Sequence, residues 1–152
     1  MPKIFSCLES SPLFCYNIGK KNFPKGGGFV KIQESAEDYL EAILILKREK
    51  GAVRSIDVAH RLGYTKPSVS RAMSLLRENG YVTMGPDGLL ELTEAGRKVA
   101  EPIYERHCML TDWLVALGVS PETAARDACH REHSISDETF AKMKEHIAKG
   151  TP

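Results

Sequence analysis

The sequence has no long apolar run, no closely spaced cysteine pair and almost no net charge, and each absence narrows the protein's class. No stretch among the 152 residues is long and apolar enough to cross a bilayer, and Met1 to Gly28 has no uninterrupted apolar core of the kind a signal peptide carries. A cytoplasmic protein is expected. The four cysteines, Cys7, Cys15, Cys108 and Cys129, form no CxxC pair, which argues against a zinc ribbon and against a secreted disulfide framework. Lys and Arg number 21 against 20 Asp and Glu, so contact with a nucleic acid must come from local basic patches rather than a global field. A hydrophobic content of 42% at this length builds one respectable core or two small ones.

Met1 to Gly28 mixes Ser, Pro, Gly and scattered aromatics without periodicity and ends in the breaker Lys25-Gly26-Gly27-Gly28. Residues 1–30 therefore read as a poorly ordered or artefactual extension. The sequence from Lys25 to Val30 fits a purine-rich coding stretch followed by a GUG start at Val30, which would make Met1 to Phe29 untranslated and Cys7 and Cys15 stray. The competing readings are a genuine disordered tail with no role and a strand or arm that packs on a partner.

Periodicity begins near Ser35. Tyr39, Leu40, Ile43, Leu44 and Leu46 give an apolar helical stripe to about Glu49, with Ser35 and Asp38 as a capping-box variant and Lys50-Gly51 as the stop. Ser55 caps a short helix with Val58, Ala59 and Leu62 inward, and Gly63 supplies a turn. Thr65 then caps a helix with Pro67 in its first turn, whose buried face is read as Val69, Ala72, Met73, Leu75 and Leu76. Two short alternating runs around Gly85-Pro86-Asp87-Gly88 signal a hairpin. A helix-turn-helix followed by a hairpin is a winged helix. Thr93 caps a long helix to Gly118 carrying Val99, Ile103, Tyr104, His107, Leu110, Trp113, Leu114 and Leu117, and Ser120 and Ser136 open two more helices. The fold expected is mainly α: a winged helix-turn-helix at 31–94 followed by an all-helical domain at 95–152. Its apolar surplus fits a homodimer interface.

Two sets of side chains carry chemistry. Asp38 with Glu41, and Cys129 with Glu132 and His133, stand at i, i+3 or i+4, so on helices each set projects from one face and can converge on a cation. Taken singly, the acids read as solvated residues near a helix N-terminus and Cys129 as a small buried residue. The outer face of the second helix of the helix-turn-helix, formed by Thr65, Lys66, Pro67, Ser68, Ser70 and Arg71, offers hydroxyls and a guanidinium to base edges and a helix N-terminus to phosphate. Lys47, Arg48, Arg54, Arg61 and Arg77 are candidate phosphate contacts. A solvated basic face explains scattered cations but not the whole constellation. The rival reading is a winged-helix protein-interaction module.

The segments SAEDYLEAI, IDVAHRLGYTKPSVSRAMSLLRENGYV, ERHCMLTDWLVALGVSPE and DACHREHSIS, in that order and spacing, resemble the DtxR/MntR family of metal-dependent transcriptional repressors. The resemblance runs from Ser35 to about Phe140 and is closer in build to the short, manganese-responsive branch, without the SH3-like domain of longer members. It implies that Asp38, Glu41, His107, Cys129, Glu132 and His133 are metal ligands. Cys129 departs from that branch, which carries glutamate there, and matches the iron-responsive branch; a thiolate favours iron or zinc over manganese. His130 is a competing ligand that the resemblance does not support. Thr111 and Ala125 stand where iron-responsive members carry a second site, which is therefore expected to be missing. The implied cofactor is Mn(II) or Fe(II), with Zn(II) next.

The function expected is a metal-responsive repressor of manganese or iron uptake genes. It would act as a homodimer on a palindromic operator in double-stranded DNA, with no membrane partner. A metal-dependent hydrolase is the rival class, but no general base or substrate pocket is placed by the sequence, so no enzyme is expected.

Overall fold

The computed structural model describes residues 34–150, so the extension, the start at Val30, Cys7 and Cys15 lie outside the described residues. The chain divides into two compact units between Pro102 and Ile103. The mainly α fold class is as the sequence indicates.

In the first unit α1 (Glu34–Lys50), α2 (Ser55–Leu62) and α3 (Lys66–Glu78) are followed by a two-stranded antiparallel wing, β1 (Val82–Met84) and β2 (Leu90–Leu92). Tyr39, Leu40, Ile43, Leu44 and Leu46 of α1 are buried, as their spacing dictates, with Val58, Ala59 and Leu62 of α2 and Val69, Ala72, Met73 and Leu76 of α3. Two caps differ from the sequence reading. Glu34 already lies in α1, so Ser35 is a buried helical residue rather than a cap. At α2 the N-cap is Arg54, whose backbone N–H donates to the Asp57 carboxylate at 2.8 Å. Thr65 caps α3, its hydroxyl accepting from the Ser68 N–H. Leu75 was expected inside but is 38% exposed, because it follows Arg71 by one turn on the outer face.

The wing pairs Val82 with Leu92, Thr83 with Glu91 and Met84 with Leu90. The Val53 carbonyl accepts from the Leu90 N–H at 2.7 Å, adding a third backbone segment to its edge. Thr93 ties the wing to the start of α4 (Glu94–Ala116): its hydroxyl donates to the Gly80 carbonyl at 2.6 Å and accepts from the Gly96 N–H at 3.1 Å. Gly96 has no alternative there, since a Cβ would stand 2.2 Å from the Tyr81 carbonyl oxygen.

The second unit holds α4 from Ile103 onward, α5 (Pro121–Arg131) and α6 (Asp137–Ala148). Ser120 and Ser136 cap α5 and α6 as expected, each accepting from a backbone N–H three residues on. The core of this unit is Met109, Leu110, Ala128 and Phe140, with Ile135, Met143 and Ile147 packed on it. Leu117, read as part of the α4 stripe, lies past the helix end and is 52% exposed. There the Gly118 N–H closes on the Val115 carbonyl and Gly118 adopts a φ of 95°.

Candidate functional site

The outer face of α3 is built by subtraction. Once Val69, Ala72, Met73 and Leu76 turn inward, Thr65, Lys66, Pro67, Ser68, Ser70 and Arg71 all remain exposed at its N-terminal half. Neither Lys66 nor Arg71 has an acidic partner among the described residues. The supporting cations do not all remain available. Lys47 pairs with Glu91, Lys50 pairs with Asp57 at 2.9 Å, and Arg61 pairs with Glu49 at 3.0 Å while its side chain is only 12% exposed. Lys47 and Arg61 are therefore engaged within the unit rather than presented for phosphate contact. Arg54 and Arg77 stay exposed.

Asp38 and Glu41 lie three residues apart on α1, and both are buried. Solvated terminal acids would not be. Between them in sequence, Tyr39 is also buried and meets Tyr64 edge to face at 5.7 Å. Burial pushes the Tyr39 phenol up to about 12, with Tyr64 and Asp38 adding to the shift.

In the helical unit the structure brings His107, Glu132 and His133 together. His107 comes from α4; Glu132 caps the C-terminus of α5, and His133 follows in the turn. Glu132 has no exposed side-chain surface. Its Oε2 lies 2.8 Å from His107 Nδ1 and its Oε1 lies 3.3 Å from His133 Nε2. The neutral tautomer of His107 with its proton on Nδ1 donates to this carboxylate oxygen and leaves the lone pair on Nε2, as a metal-ligating histidine requires. Glu132 Oε1 has no hydrogen-bond partner among the described residues. An oxygen left in that state costs about 1–3 kcal/mol, more when charged, and a bound cation would offset it. Cys129 stands one turn before Glu132 on α5 with a buried, reduced thiol, but it belongs to no group of three donors whose atoms lie within 4.8 Å of one another among the described residues. Oxygen and imidazole donors of this kind fit a first-row divalent metal. His130, the competing ligand, is exposed.

One residue of this region escaped the sequence reading. The Arg106 guanidinium donates to the carbonyls of Glu132 at 3.1 Å and Ile135 at 2.7 Å, pairs with Asp137, and lies over the Phe140 ring. No local pattern marks it, because every partner is at least 26 residues away. Nearby, burial raises the Asp112 carboxyl above its ordinary value, and His107 pulls it partly back.

Comparison with known proteins places this geometry. The family model described as "Iron dependent repressor, N-terminal DNA binding domain" matches residues 31–90, and "Iron dependent repressor, metal binding and dimerisation domain" matches residues 93–150. The Transcriptional regulator MntR of Escherichia coli O6:H1 is 40% identical over 118 residues, which span 74% of this chain and 76% of that protein. The HTH-type transcriptional regulator MntR of Geobacillus kaustophilus is 37% identical over 102 residues, spanning 67% of this chain and 72% of its own length. Among solved structures, that of the manganese regulator SloR aligns with a TM-score of 0.66 at 22% identity, and that of T. acidophilum IdeR with 0.63 at 23%. Each of these two alignments covers 74% of this chain and 53% of the other, so the chain spans about half the length of those proteins and the likeness speaks for the fold. With both family domains matched in order and relatives at this level of identity, the chain belongs to the DtxR/MntR family of metal-dependent transcriptional repressors.

Proposed function

We propose that this protein represses manganese or iron uptake genes by binding a palindromic operator as a metal-loaded homodimer. Residues 31–94 would serve as the DNA-binding domain and residues 95–152 as the metal-binding and dimerisation domain. The observation that carries the metal half is the Glu132 carboxylate, fully buried, with one oxygen on His107 and the other lacking a hydrogen bond among the described residues. The proposed ligands are Asp38, Glu41, His107, Cys129, Glu132 and His133, and Mn(II) or Fe(II), with Zn(II) after them, would supply the positive charge that offsets their burial.

On the DNA side, the exposed hydroxyls of Thr65, Ser68 and Ser70 and the guanidinium of Arg71 read base edges from the major groove. Lys66 meets phosphate, and Pro67 stiffens the first turn of the helix that carries them. Two copies of α3 related by a dyad contact half-sites one helical turn, or a multiple of it, apart. A hundredfold gain in operator affinity on metal loading requires about 2.7 kcal/mol of preference for the DNA-competent arrangement.

The test is an anaerobic titration of the protein onto palindromic duplexes selected from random sequence, with Mn(II), Fe(II), Zn(II) or chelator present. Affinity should rise at least tenfold with Mn(II) or Fe(II). Affinity indifferent to all three metals sinks the proposal.

A further inference from the structure

Consecutive residues of α4 hold Glu132 at both ends. His107 takes the side-chain carboxylate through Nδ1, and Arg106 takes the main-chain carbonyl through Nη1. The same Arg106 nitrogen also binds the Ile135 carbonyl, and Nη2 reaches Asp137, the first residue of α6. The segment from Glu132 to Asp137 is thus spanned by one planar guanidinium. The segment's other backbone hydrogen bonds run to the adjoining helices: Glu132 N–H to Ala128 and Ser134 N–H to Arg131 on the α5 side, and Phe140 N–H to the Ser136 carbonyl on the α6 side. The guanidinium itself is held in place, 88% of the side chain being covered and its Cζ lying 5.3 Å from the centre of the Phe140 ring. Carbonyls at a helix C-terminus are the natural acceptors for such a cation, because they have lost their intrahelical donors.

We infer that Arg106 is a positioning residue for the metal-binding turn: it sets the backbone from which Glu132 and His133 project, without touching the metal. The inference rests on the reading that those two residues are ligands. The planar guanidinium matters because Nη1 serves both carbonyls while Nη2 reaches Asp137, a span over two nitrogens at fixed separation that the single nitrogen of a lysine ammonium does not provide. Partners that orient ligands in this way govern metal affinity by about 10–100-fold when removed.

Arg106→Gln and Arg106→Lys, each in the full chain, test it with two readouts. In metal-free protein, hydrogen exchange at the Glu132 and Ser134 amides should accelerate at least tenfold, while amides in residues 34–102 keep the parental rates. In calorimetric titration, the dissociation constant for Mn(II) or Fe(II) should rise 10–100-fold for Arg106→Gln and by a smaller factor for Arg106→Lys. If Arg106→Gln does not fold, Arg106→Lys keeps the cation over Phe140 and carries both measurements alone. Parental exchange and metal affinity within threefold of the parent in a folded variant overturn the inference, as does acceleration spread evenly through residues 103–150. Absence of metal binding by the parent itself would instead defeat the ligand reading, and the exchange rates would still decide whether Arg106 holds the turn.

Discussion

The two oxygens of Glu132 are not equivalent: Oε2 rests on His107 Nδ1 at 2.8 Å, while Oε1, though 3.3 Å from His133 Nε2, lacks a hydrogen bond among the described residues. A side chain kept in that state is optimised for something other than the stability of the metal-free fold. Glu132→Gln keeps the shape and removes the charge, so it should lower metal affinity at least a hundredfold while leaving the melting temperature of chelator-treated protein equal to or above that of the parent. Parental metal affinity by calorimetry, or a melting temperature several degrees lower without metal, would mean that the carboxylate is a structural group. Cys129→Glu probes the departure from the manganese branch. It exchanges a soft thiolate for a hard carboxylate and should shift preference toward Mn(II) over Fe(II). Identical selectivity in both proteins would make Cys129 a packing residue. At this scale the sequence exposed the candidate ligands, because Asp38 with Glu41 and Cys129 with Glu132 follow helical spacing. It concealed how completely Glu132 is buried, and it concealed Arg106, whose partners are distant in sequence.

Among the elements, α2 shows a cap that composition hid. Asp57 accepts from the Lys50 ammonium at 2.9 Å and from the Arg54 N–H at 2.8 Å, and these two bonds, the lysine first, hold its carboxyl below its ordinary value. A carboxyl with a depressed folded-state pKa adds stability above its ordinary value and loses it as pH falls through the depressed one. Asp57→Asn should therefore cost up to about 1 kcal/mol near neutrality, screening by solvent keeping it small. The difference between parent and variant should shrink as denaturation is measured at progressively lower pH below about 4. A gap independent of pH would show that packing, not charge, is at stake. Local rules made most elements legible: Thr65, Ser120 and Ser136 cap as short polar side chains do, and the Gly85 to Gly88 turn closes its hairpin with the Gly88 N–H on the Gly85 carbonyl. What local rules miss is contact across the chain. Gly96 reads as a mild defect in a helix, yet its position 2.2 Å from the Tyr81 oxygen, measured to a built Cβ, makes Gly96→Ala destabilising by about 1–3 kcal/mol in chemical denaturation.

For the whole molecule, the balance of 21 cations against 20 acids leaves little global attraction to DNA, and the pairing of Lys47 and Arg61 with Glu91 and Glu49 engages two of the candidate phosphate contacts. On the proposed reading operator affinity then leans on α3 and on the exposed Arg54, and the roles of the α3 groups are separable by salt. Each phosphate neutralised by a cation steepens the fall of log K against log salt by about 0.9. Arg71, set back one turn from the N-terminus of α3 beside Ser70, is assigned to base edges; Lys66, the first helical residue, is assigned to phosphate. Arg71→Ala should therefore cost about 1–3 kcal/mol on the selected operator and far less on random DNA, with the salt slope unchanged. Lys66→Ala should weaken both duplexes alike and flatten the slope by about 1. Metal-loaded protein titrated on both duplexes between about 50 and 200 mM salt measures all four quantities. Equal losses on both duplexes for Arg71→Ala, together with a flatter slope, would move the guanidinium from the bases to the backbone and leave sequence recognition to Thr65, Ser68 and Ser70.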